Sequence, residues 1–305
     1  VILALESGGT KLLAAAADHR GNLLELTRTY RVEGQEAVDT LAALCAMGDQ
    51  LRRAHGPVEA IGYGFGGTVR RPDAQPGPCF HEAGWDRVDA VAFLTQKLGA
   101  PVFIENDCNI GALAEAHFGV GCLKGTLVYA TLGTGIGGGV VHDGVLFESG
   151  PMGEAEIGHV VVEPDGIPCG CGNRGCLEAY CSGPGLAALA ARMTGRTIDS
   201  RALMQEYRAG VAEARAVVEQ AAEYLARVFA TVINVLSPAV IVLGGGVMTD
   251  NLPFLNLIAA RSDRYTFPFF RGNTHFCLST LGENVICQGA AVYAIQKLKA
   301  LQGKD

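Results

Sequence analysis

Short apolar runs, each ended by glycine or a polar turn, set the rhythm of the first thirty residues. Val1 to Leu5 is apolar, Glu6-Ser7-Gly8-Gly9-Thr10-Lys11 interrupts it, and Leu12 to Ala17 resumes it. Asp18 to Gly21 then turns the chain into Asn22-Leu23-Leu24. The pattern predicts strand, glycine turn, strand, tight turn, strand. The same layout returns about 125 residues later: Leu127 to Leu132, glycines from Gly133 to Gly139, Val-Val-His, the turn Asp143-Gly144, and Val-Leu-Phe. Two copies of one unit predict a duplicated architecture with a cleft between its halves.

Between the copies, apolar positions at Ala37, Leu41, Leu44, Cys45 and Leu51 predict a helix over 35–53. Val58 to Phe65 reads as a strand stopping at Gly66-Gly67-Thr68, and a Pro-rich polar loop follows from Arg70 to Gly84 before Trp85. A helix over 89–99 and a strand over 101–104 come next. That strand delivers Glu105-Asn106-Asp107 at its carboxyl end, where open α/β sheets place their ligands. A helix over 109–118 follows, so Asp107 reads equally as a helix cap or as a catalytic acid-base group. Downstream, helices are expected over 185–193, 200–208 and 211–236. The stripe Val217, Val218, Ala221, Tyr224, Leu225, Val228, Phe229, Val232 in the last of these reads as core. Ala239 to Leu243 is a buried strand with a third glycine stop, Gly244-Gly245-Gly246, and 288–301 is a closing helix.

Composition narrows the class. With 305 residues, 49% of them hydrophobic and 18% charged, the chain has material for two cores. A net charge of −7 with no basic block speaks against a nucleic-acid partner. No uninterrupted apolar stretch is long enough to predict a membrane span. The opening Val-Ile-Leu-Ala-Leu-Glu lacks the basic front of a signal peptide. Cys45, Cys79, Cys108, Cys122, Cys181, Cys277 and Cys287 are scattered rather than paired, which suits a cytoplasmic location.

The remaining three cysteines carry chemistry. Cys169, Cys171 and Cys176 stand within eight residues, separated by glycines, with His159 ten residues upstream and the carboxylates Glu154, Glu156 and Glu178 beside them. A short strand, Val160 to Glu163, is expected between His159 and the cysteines. Three thiolates and an imidazole make a closed tetrahedral shell for structural zinc; disulfides to distant partners, free thiols, or a core histidine are the alternatives. The glycine turns have two readings as well. Their backbone N–H groups, with Thr10, Lys11 and Thr134, can approach an anion such as a phosphate, or the glycines can simply serve hairpin geometry. Neither turn has the dinucleotide or Walker spacing.

Together the segments from Glu6 to Lys11, Glu105 to Asp107, Gly133 to Gly138, Glu156 to His159, Cys169 to Glu178 and Gly244 to Gly246 resemble the ROK family in its sugar-kinase branch, in order and over nearly the whole chain. The resemblance implies the sugar-kinase/actin-like ATPase fold. It places a small N-terminal α/β domain over 1–115, with a helix over 289–305 packing back on it, and a large α/β domain with the zinc loop over 116–288. It implies an ATP-dependent kinase acting on the 6-hydroxyl of a hexose, glucose preferred, with fructose, mannose or N-acetylglucosamine as rival substrates and a non-catalytic sugar-sensing regulator as a rival role. Asp107 matches the catalytic base. Gly66, Asn106, Glu156, His159 and Glu178, with Asp107, match the sugar ligands. Gly8, Gly9, Thr10 and Lys11, then Gly133, Thr134, Gly135 and Gly137, match two phosphate loops, and Gly244, Gly245 and Gly246 the adenosine side. Glu6 matches the carboxylate that helps hold Mg²⁺, although Asp is usual there among glucokinase-like members. His159, Cys169, Cys171 and Cys176 match the zinc ligands, and a homodimer or homotetramer is implied. Arg70-Arg71 stands where an acidic residue is common, and His81-Glu82-Ala83 replaces an Asn-containing stretch.

Overall fold

The structure is a computed structural model and describes residues 1–303 apart from 33, 78, 80, 81, 122 and 152. His81 and Cys122, singled out above, lie outside the described residues.

The duplicated pattern becomes two mixed five-stranded sheets. In the first, β1 (Ile2–Ser7) pairs antiparallel with β2 (Lys11–Ala17), which pairs with β3 (Leu23–Tyr30). After α1 (Ala37–His55), β4 (Ala60–Phe65) adds parallel to β1. A two-residue ribbon, β5 (Val69–Arg70) and β6 (Gln75–Pro76), and α2 (Ala90–Leu98) precede β7 (Val102–Asn106), parallel to β4. Helix α3 (Asp107–His117) follows at once. The second sheet repeats the scheme with β8 (Thr126–Leu132) and β9 (Ile136–His142), in the order β10-β9-β8-β11-β12 with β10 at Val145–Leu146. Helices α4 (Glu178–Cys181), α5 (Gly183–Thr194), α6 (Ser200–Arg208) and α7 (Ala212–Leu236) lead to β11 (Val240–Gly244), parallel to β8. Then come α8 (Leu252–Tyr265), β12 (His275–Leu278) parallel to β11, and α9 (Val285–Leu301). Each sheet thus contains an antiparallel pair, β1 with β2 and β8 with β9, whose first strand is extended by two parallel strands.

The chain divides into two compact units. One comprises Val1–Gly121, Gly144–Glu154 and Leu281–Asp305, the other Cys122–Asp143 and Ala155–Thr280. In the first, β1, β2 and β4 are buried throughout, apart from the half-buried Lys11. Strands covered on both faces read as continuous apolar runs, which is why these are legible without alternation. Helix α9 lies so close to β4 that a Cβ on Gly62 would run into the Ala290 carbonyl, and so close to α3 that one on Gly289 would run into the Ile110 carbonyl. In the second unit, the stripe read from α7 is core: Val217, Val218, Ala221, Leu225 and Phe229 are fully buried.

Two expectations are corrected, and two elements had no sequence expectation. The helix expected from 109 begins at Asp107, because Asn106 caps it. The strand expected over Val160–Glu163 is absent: Val160 and Val161 are exposed, and only an isolated bridge, Val161 to Cys176, forms. Helix α8 and strand β12 went unread. Among the described residues, no helix is long and apolar enough to cross a membrane.

Candidate active site

Asn106 and Asp107 sit where β7 ends and α3 begins. The Asn106 side chain is the helix cap: Oδ1 accepts from the N–H groups of Cys108 (2.9 Å) and Asn109 (3.2 Å), and Nδ2 donates to the Gly67 carbonyl (3.0 Å). The capping role open to Asp107 therefore belongs to its neighbour. Asp107 occupies the first helical position, where backbone dipoles favour negative charge. Gly66 explains how its carboxylate is approached. A Cβ there would lie 2.8 Å from the Ser7 carbonyl and 3.7 Å from Asp107 Oδ2, so only glycine leaves the space between β1's end and Asp107 open.

The first glycine turn is tight, with Gly8 N–H donating to the Lys11 carbonyl at 3.1 Å. Lys11 opens β2, and its ammonium lies 3.5 Å from Glu283, which also meets Arg28 at 3.0 Å. Glu6, just before the turn, is buried, and its Oε2 has no hydrogen-bond partner. Burial raises its carboxyl to about 7, against the pull of Lys11 and with a further push from Asp107. An orphaned carboxylate oxygen beside a second acid suits a cation.

The contacts of the loop 70–85 are not legible in its sequence. Glu82 is held by Arg31 (2.7 Å), Thr40 Oγ1 (2.7 Å) and Trp85 Nε1 (2.9 Å). Arg31 also reaches the Gly8 carbonyl at 3.4 Å. Trp85 is only three residues from Glu82, but Thr40 is 42 residues away and Arg31 51, and no local spacing announces those two.

In the other unit, the second glycine turn spans Gly133 to Gly135, closed by Gly133 N–H to the Gly135 carbonyl at 2.9 Å. Gly137 is not in the turn; it pairs with Thr131 inside β9. Glu178 opens α4 and accepts from the Ile136 N–H at 2.8 Å, and a Cβ on Gly135 would lie 2.6 Å from that same oxygen. Gly133, Thr134 and Gly246 line one cavity of about 780 Å³, walled further by Ser200, Arg201, Arg208 and Asn251. The last group escaped the sequence reading, although Ser200, Met204 and Arg208, four residues apart, share a face of α6. Gly244 and Gly245 are closely packed: a Cβ on either would crowd Tyr129 or the Leu132 backbone.

His159, Cys169, Cys171 and Cys176 converge as the sequence led one to expect, their ligand atoms all within 4.8 Å of one another. Cys171 and Cys176 sulfurs are 3.7 Å apart, as are Cys169 Sγ and His159 Nδ1. A tetrahedral ion with metal–sulfur bonds of about 2.3 Å sets its ligands about 3.5 to 3.8 Å apart. The four residues fit a metal ion. His159 turns its other nitrogen, Nε2, toward Glu156 at 3.9 Å. Burial raises the Glu156 carboxyl above its usual range, opposed by His159 and reinforced by Glu178.

The sequence pattern of the ROK family matches residues 2–297. The chain belongs to the ROK family. A glucokinase from Thermotoga maritima is 31% identical over 95% of this chain and 96% of its own. Among solved structures, the ROK hexokinase from Thermus thermophilus superposes with a TM-score of 0.87 at 31% identity, covering 98% of this chain and 99% of that one. A ROK family glucokinase from Streptomyces griseus, solved with glucose and AMPPNP, gives 0.81 at 28% identity over 97% and 99%. This ROK protein therefore has the sugar-kinase/actin-like ATPase fold that the resemblance implied.

Proposed function

We propose that this ROK protein is an ATP-dependent hexose kinase that phosphorylates the 6-hydroxyl of its sugar, with glucose preferred. The observation that carries the reading is Asp107: a carboxylate at the start of α3, approached across a position where only glycine leaves room. In the proposed reaction Asp107 takes the proton of the sugar hydroxyl as that oxygen bonds to the γ-phosphorus, and the bond to the β-phosphate bridging oxygen breaks, releasing ADP. Such a transfer needs alignment and charge compensation more than covalent help.

Gly66, Asn106, Glu156, His159 and Glu178 hold the other hydroxyls. Each fixed polar partner left unmatched by a wrong sugar is costly, which is how selectivity arises. Gly8 to Lys11 and Gly133 to Gly135 bind the phosphates. The cavity lined by Gly133, Thr134 and Gly246 is roomy enough for a nucleotide. Glu6 is the residue that would hold Mg²⁺, which supplies charge neutralisation at the phosphates when bound. His159, Cys169, Cys171 and Cys176 are the residues that would hold zinc, which would fix the tautomer of His159 and leave its Nε2 to face the sugar.

The test is ADP release measured over glucose, fructose, mannose and N-acetylglucosamine. Glucose should give the highest kcat/KM, and silence with every sugar overturns the reading. Asp107→Asn should lower kcat by about 100-fold or more while sugar binding persists; retention of more than about a tenth of the rate removes Asp107 as base.

A further inference from the structure

Arg71 is the least expected side chain near Asp107. It opens a 3-10 turn between β5 and β6, and unlike its neighbour it points inward, 14% exposed. Nε donates to Glu105 Oε2 at 2.9 Å. Nη1 and Nη2 donate to the two oxygens of Glu154 at 2.6 and 2.7 Å, and Nη1 also to the Gly150 carbonyl at 3.0 Å. Its backbone N–H donates to the Pro151 carbonyl at 2.9 Å. Every one of these groups belongs to the same compact unit. One guanidinium thus compensates two carboxylates and ties three separate stretches of chain together.

Glu105 is where this bears on the reaction. It is 1% exposed and immediately precedes Asn106. Its Oε1 accepts from the Asn106 N–H at 2.9 Å and from Asn109 Nδ2 at 3.0 Å. The Asn106 side chain in turn caps α3 at Cys108 and Asn109. The chain of contacts runs Arg71, Glu105, then the backbone that carries Asn106 and Asp107. Without the guanidinium, Glu105 and Glu154 would be two poorly solvated negative charges with Asn109 between them, and the carboxylate that braces the first turn of α3 would lose its anchor.

We propose that Arg71 is a positioning residue for the phosphoryl transfer, holding Glu105 and through it the Asn106–Asp107 turn. Its kinetic consequence rests on the kinase reading above; the holding role rests on the contacts alone. A lysine keeps the charge but not the planar fork that serves Glu105 and both oxygens of Glu154 at once. Arg70 is the internal control: it pairs with Asp73 on the surface, both about half exposed, and touches none of these groups.

The experiment compares Arg71→Lys and Arg70→Lys in the full chain by amide hydrogen exchange over 105–110, by kcat and KM with glucose, and by glucose binding followed through Trp85 fluorescence. Arg71→Lys should speed exchange at 105–110 about tenfold or more relative to the rest of the unit. It should lower kcat about 10- to 100-fold, because small misplacements of a reacting group cost that much, while glucose KM and affinity change less than about threefold. Arg70→Lys should alter none of these. Unchanged exchange at 105–110 in Arg71→Lys overturns the proposal, as does a kcat loss that only tracks the folded fraction. Should Arg71→Lys not fold, Glu154→Gln applies, since it keeps the partner's shape and removes its charge; faster exchange at 105–110 supports the proposal and unchanged exchange overturns it. If the unaltered protein turns over no sugar, the kinase reading falls while the exchange data still decide the holding role.

Discussion

At the residue scale, Glu6 shows how a local departure from neutrality becomes measurable. Its carboxyl moves from an ordinary 4.5 to about 7, chiefly through burial. The folded state therefore binds more protons than the unfolded state between those values, so stability falls as pH rises through that window. The shift corresponds to at most about 3 kcal/mol. Denaturant unfolding of the metal-free protein should show wild type losing up to about that much relative to Glu6→Gln between pH 4.5 and 8. Parallel pH profiles for the two proteins would refute the burial argument. Mg²⁺ should recover part of the loss in wild type only, because a nearby cation favours the ionised carboxylate. Sequence pointed to this residue by its place before a glycine turn, but not to its protonation, which depends on β4, α9 and Asp107 arriving from elsewhere in the chain.

At the element scale, glycines that look alike in sequence do different work. Gly62 lies under the α9 backbone, whereas a Cβ on Gly246 would meet nothing within 4 Å. Gly62→Ala must push α9 from the sheet and should cost about 1–3 kcal/mol, or more if the helix cannot shift. Gly246→Ala should leave stability within about 0.5 kcal/mol and instead raise the KM for ATP, since Gly246 lines the cavity. Equal destabilisation by both would contradict the packing described. The pattern made the strands and their glycine stops legible because buried strands are continuous apolar runs. It did not tell packing glycines such as Gly62 and Gly245 from cavity-lining ones such as Gly133 and Gly246. That difference lies in what crosses above them. The Val160–Glu163 segment misled for a related reason: its apolar side chains have β propensity but no partner strand, and propensity without pairing makes no sheet.

At the scale of the whole molecule, each unit has its own apolar core. Leu3, Leu5, Leu41, Ile61, Tyr63 and Leu94 build one, and Val128, Leu186, Val217, Leu225, Phe229 and Ile258 the other. The metal cluster belongs to the second unit alone, close to Leu177 and Tyr180 of that core. Binding free energy of a structural metal is folding free energy for the segment that holds it. Stripping the metal should therefore act on one unit and spare the other. Amide exchange with and without a strong chelator tests this. Protection should fall over 155–190, where the ligands and α4 lie, and remain near its starting level over β1, β4 and α1. Glu6→Gln should leave that chelator response unchanged, because Glu6 stands in the unit without the cluster. Elemental analysis of the untreated protein should return about one zinc per chain, matching the one four-ligand cluster among the described residues. Loss of protection spread evenly over both units would mean that the metal supports the fold as a whole rather than the segment that ligates it.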